Sequence, residues 1–158
     1  MHDMRRPKVI VIAILAVLAP GLAGACSIAG GSATGPLVTV AMRGGNCLNP
    51  PCESTVTLDR DGRVHSAAKP PNDLGTVPAD QVAAIDAAIK LTDFAELRTH
   101  PFTGECPVNF DGQEVVYEFS APTGVERIES CQTEVDLGSP LFVAVANALA
   151  SFVPLPVT

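Results

Sequence analysis

The sequence is short of large aromatic side chains and of positive charge. It has no tryptophan, one tyrosine and six phenylalanines in 158 residues, so its core must be mainly aliphatic and small. Lysine and arginine total 10 against 17 aspartate and glutamate, a net charge of −7. That balance argues against nucleic acid as a partner and against charge-driven attachment to an anionic lipid surface. Signatures of chemistry are missing too. The chain has no Gly-x-Ser-x-Gly elbow, no Cys-x-x-Cys redox pair and none of the Cys-x2-Cys knuckles of zinc sites. It also lacks internal repeats, heptads and low-complexity blocks. Its longest apolar run, Val9 to Ala19, is 11 residues, well short of the ~20 that span a bilayer.

What the chain does have is an odd number of cysteines, at positions 26, 47, 52, 106 and 131. In an oxidising compartment one must stay unpaired. The start reads as an export leader: Arg5, Arg6 and Lys8, the apolar run, a helix-breaking Pro20-Gly21, then small residues before Cys26. Leu22-Ala23-Gly24-Ala25-Cys26 resembles the lipobox of exported bacterial lipoproteins, Leu-Ala/Ser-Gly/Ala-Cys. Here leucine stands one place early and Ala23 occupies its usual position. The resemblance implies cleavage before Cys26 and lipidation of its thiol. Two other outcomes stay open: ordinary cleavage after Ala25 with secretion, and an uncleaved anchor.

The expected organisation is a leader over 1–25, a Gly-rich flexible tether over 26–35, one domain over 36–154 and a tail over 155–158. Cleavage would leave 133 residues, the size of one domain. Arg5, Arg6, Lys8 and Asp3 would leave with the leader, so seven basic and sixteen acidic residues remain, net −9. Membrane attachment then falls to acyl chains on Cys26, where two chains suffice and one is marginal.

Alternation predicts a strand over Leu37 to Met42 and a hairpin of Thr55 to Asp59 with Arg63 to Ser66 around Asp61-Gly62. Lys69 to Gly75 reads as a Pro-rich loop. Val82, Ile85 and Ile89 give a helix one apolar face, entered at Pro78 and closed at Leu91. Asp93 to Leu97 adds a short turn. Gln113 to Ala121 and Val125 to Cys131 form a second hairpin, with Val115, Tyr117 and Phe119 on one face. Ser139-Pro140 opens a last helix presenting Phe142, Val145, Leu149 and Phe152, ended by Pro154. The expected fold is α+β: an antiparallel sheet of four to five strands, two hairpins plus an N-terminal strand, with two helices on one face.

Cys47, Cys52, Cys106 and Cys131 are expected to form two disulfides, preferably 47–52 and 106–131, though four cysteines allow three pairings. No metal or cofactor is expected, because only His65 and His100 would remain as extra ligands after cleavage. Asp59-Arg60-Asp61-Gly62 opens like a calcium loop, but Arg63 and Pro70 replace later ligands. The loop Phe102 to Pro107 is the most distinctive. His100 just before it, with Asp93, Glu96 or Glu105, is the only acid–base candidate; no residue is assigned as catalytic.

Gly44-Gly45-Asn46-Cys47, Asp61-Gly62, Thr103-Gly104-Glu105-Cys106-Pro107, Asp111-Gly112-Gln113-Glu114 and Cys131 resemble a group of small exported bacterial proteins of unknown function. The Ala/Val/Pro-rich leader is similar to those of actinobacterial lipoproteins. The resemblance implies export and a small disulfide-bonded domain, and no activity. Expected, then, is a lipid-anchored protein on the extracytoplasmic face of the cell membrane that binds an envelope protein or glycan. The alternatives are a hydrolase using His100 and a protease-inhibitor-like module presenting the Cys47–Cys52 loop.

Overall fold

A computed structural model describes residues 35–45, 53–67 and 72–155. Cys26 with its leader, and Cys47 and Cys52 with their loop, lie outside them. Six strands form one antiparallel sheet: β1 (Pro36–Gly44), β2 (Ser54–Asp59), β3 (Arg63–Ser66), β4 (Asp73–Thr76), β5 (Gln113–Ala121) and β6 (Gly124–Glu129), in the order β4-β3-β2-β1-β5-β6. The helices are α1 (Ala79–Leu91), the single turn α2 (Phe94–Leu97) and α3 (Pro140–Leu149), with a 3-10 turn at Pro107–Phe110. The architecture is α+β. Among the described residues no helix is long and apolar enough to cross a membrane.

Register explains the two faces. Val40 lies between Val56 and Tyr117, and Val38 between Leu58 and Phe119, so strand alternation lines these residues up on one side. Val82, Ile85 and Ile89 of α1 and Phe142, Val145 and Leu149 of α3 close over that side in one core cluster. The few aromatics are concentrated there. Phe119 meets Phe94, Tyr117 and Phe142 with ring centroids 5.5, 5.9 and 6.1 Å away. The other face is mainly polar, with Ala41, the buried Val116 and the exposed Val125 as apolar members: Thr39 and Thr57 share a hydroxyl hydrogen bond of 3.1 Å, and the Arg127 guanidinium donates to Glu129 and Glu118.

Both predicted hairpins form. In the first, Gly62 has φ +88°, and a Cβ there would lie 2.7 Å from the Val77 carbonyl oxygen, so only glycine fits. The Asp61 carboxylate accepts from the Arg63 backbone N–H and pairs with its guanidinium. The backbone hydrogen bond, aided by the guanidinium, holds that carboxyl below its usual range.

Three features differ from expectation. The segment read as a loop up to Gly75 contains all of β4 but its last residue, Thr76, and β4 is an edge strand with no β-branched alternation. Pairing with β3 makes it: Arg63 faces Thr76, and Ser66 N–H donates to the Asn72 carbonyl at 2.9 Å. Gly75 supports it at φ +136°, with the Phe152 ring beneath. The last helix stops at Leu149, leaving Phe152 in the following turn, half-buried against the core. Ser139 is at the N-cap, but its side chain makes no capping hydrogen bond.

Cys106 and Cys131 form a disulfide with Cα atoms 5.2 Å apart. Backbone bonds continue this seam. Phe102 N–H donates to Gln132, Glu134 N–H donates to His100 at 2.8 Å, and Pro101 bridges Thr133.

Candidate functional site

That seam places His100 beside Glu134, and together they form one wall of a groove of about 590 Å³. The groove lies between the end of α1, the turn α2 and the start of α3. Its floor is apolar: Ala88 from α1, Leu97 from α2, and Leu141 and Phe142 from α3. Leu141 and Phe142 are both core residues, so the same side chains that hold α3 down also form the floor. Leu91 sits at the lip with 87 % of its surface exposed. It is the last residue of α1, where the helix runs out past the core.

The rim is acidic. Asp93, Glu96, Glu134 and Asp136 line the groove, with His100 and no lysine or arginine. Two of these carboxylates are committed locally. Asp93 caps α2, accepting from the N–H groups of Ala95 and Glu96 at 3.0 Å each, which satisfies orphan donors of that turn. Asp136 accepts from Gly138 N–H at 2.9 Å. Among the described residues, the side chains of Glu96, Glu134 and His100 have no hydrogen-bond or ion-pair partner.

Of the acid–base candidates, the structure brings His100, Asp93 and Glu96 onto the groove, but Glu105 is not part of its lining. Asp93 is occupied by capping. Glu134, which the sequence reading did not pair with His100, is its nearest backbone partner. Nothing local in the sequence marks that pairing, since the two residues lie on opposite sides of a hairpin.

A second missed pair lies on the polar face. His65 Nδ1 is 3.6 Å from Asp59 Oδ2, too long for a hydrogen bond, beside a depression of about 350 Å³ that Arg63 and Asp73 also line. Its signal was available: in the β2–β3 register His65 faces Thr57, so Asp59 is its diagonal neighbour on the same face. Among the described residues no three of His, Cys, Asp and Glu are grouped closely enough to hold a metal ion. The groove therefore offers shape, an apolar floor and negative charge.

Comparison with family models, with curated proteins and with solved structures returns no match.

Proposed function

We propose that the chain is a non-catalytic binding module of the cell envelope, akin to small exported actinobacterial-type lipoproteins, held at the extracytoplasmic face of the membrane by lipid on Cys26. The observation that carries the binding role is the groove: a concavity of about 590 Å³ with an apolar floor and two unengaged carboxylates at its rim. Ligand sites have this make-up, mostly apolar with a few polar groups that orient the ligand. Anchoring is supported by the cysteine that two disulfides would leave over, and secretion is the alternative.

Crosslinking in the native membrane, followed by pull-down, tests the binding role. The unaltered chain should retain a ligand that the Leu91→Arg chain loses. Leu91 is 87 % exposed, so that substitution changes the groove mouth without disturbing the core. Identical crosslinks from both chains would refute the assignment. Anchoring is tested by Cys26→Ser, which should release the protein from membranes.

One observation favours a second reading, a hydrolase of cell-wall or periplasmic substrates: His100 shares the groove with Glu96 and Glu134. That reading requires His100→Ala to abolish whatever hydrolysis the chain performs.

A further inference from the structure

The charge of the groove says more about its ligand than its shape does. Resting on the reading of the groove as a binding site, we propose that its ligand is a cationic amphiphile. Its apolar body would lie over Ala88, Leu97, Leu141 and Phe142, with its positive head at Glu96 and Glu134.

The carboxylates set the sign. Four of them line the groove, with no lysine or arginine to offset them. The neighbouring cations are engaged elsewhere. Lys90 pairs with Asp86, Arg60 with Asp86 and the Ser120 carbonyl, and Arg98 with Glu126. An anionic ligand would be repelled. A neutral apolar ligand covering the groove would strip water from Glu96 and Glu134 without replacing it, which is costly for a charged group. A cationic head replaces that water with an opposite charge.

The apolar surface sets the rest of the molecule. Leu91 is a large hydrophobe left 87 % exposed at the mouth, where an apolar chain leaving the groove would cover it. The volume of about 590 Å³ lies within the roughly 300–1,000 Å³ typical of small-ligand sites. A small molecule with one apolar body fits that volume.

The test is calorimetric titration of the secreted chain carrying Cys26→Ser with dodecyltrimethylammonium, dodecyl sulfate and dodecyl maltoside, each below its micelle concentration. The cation should bind one per chain and about tenfold or more tighter than the sulfate. Glu96→Gln with Glu134→Gln should weaken the cation about tenfold, because two rim charges are removed. Glu53→Gln with Glu105→Gln makes the same change of net charge at exposed positions outside the groove, and should cost less than about twofold given screening. Leu91→Arg, at a position where folding is not at stake, should weaken the cation as well.

Equal losses in the two charge pairs would overturn the proposal, since binding would then follow net charge alone. If the sulfate or maltoside binds as tightly as the cation, and Leu91→Arg weakens it, the cationic assignment is overturned while the groove remains a binding site. If no probe responds to Leu91→Arg, both readings fall.

Discussion

Replacing Cys106 and Cys131 together by serine removes a cross-link between residues 25 apart in sequence. Closing a loop of that length withdraws roughly 12 cal/mol/K of entropy from the denatured chain, about 3.5 kcal/mol at 25 °C in the chain-entropy account. The folded side should change little. The two segments of the seam stay joined by the Phe102–Gln132 and Glu134–His100 backbone hydrogen bonds, and both cysteines are only half-buried, so serine hydroxyls can be hydrated. Nearly all of the loss should therefore come from the denatured state. Both positions must change at once, because a lone thiol would be free to exchange with Cys47 or Cys52. The assay is urea unfolding followed by far-ultraviolet circular dichroism, which needs no tryptophan. With a slope of roughly 1.5–2 kcal/mol/M, the midpoint should fall by about 2 M. A loss below about 1 kcal/mol would refute the reasoning, because the bridge would not then be constraining the denatured chain.

Three further outcomes follow from particular side chains. Burial pushes the Tyr117 hydroxyl from 10.0 up to about 12, so the folded state favours its neutral form. That contribution is intact below about pH 10 and lost as pH rises toward 12, at most ~2.7 kcal/mol; urea midpoints across this range should fall less in Tyr117→Phe than in the unaltered chain. Lys90, and then Arg60, hold the Asp86 carboxyl below its usual range, a contribution present above the unfolded carboxylate pKa and lost as pH falls through the folded one. Asp86→Asn should cost up to about 1 kcal/mol at pH 7 and progressively less in acid, measured by the same unfolding assay. Phe119 is fully buried among three other aromatic rings, and Phe119→Ala should cost about 3–5 kcal/mol in urea unfolding.

The elements that could be read from the sequence are those whose period is carried by their own side chains. β1, the two hairpins and the buried face of α1 each alternate or recur in a way that one face of a sheet or helix requires. β4 has no such pattern, and it exists because β3 presents an open edge and Gly75 tolerates φ +136°. Phe152 matches the helical period of α3 but lies beyond its end, because the chain turns after Leu149. Periodicity reports burial there, and the turn decides the backbone. The groove was legible only in part. His100, Asp93 and Glu96 lie close together in sequence, whereas Glu134 and the floor residues Leu141 and Phe142 arrive from beyond β6. They meet His100 because the Cys106–Cys131 bridge and the Pro101–Thr133 pairing lay the two segments side by side. The cysteine pairing was the part of that arrangement the sequence suggested.

The most direct test of the groove as the working surface is a two-dimensional amide NMR titration of the secreted Cys26→Ser chain with dodecyltrimethylammonium. Saturating shifts should be confined to Ala88, Leu91, Leu97, His100, Glu134 and Leu141, with Thr39, Thr57 and Glu118 on the opposite face unmoved. Shifts spread evenly over both faces, or centred on the His65–Asp59 depression, would contradict the account.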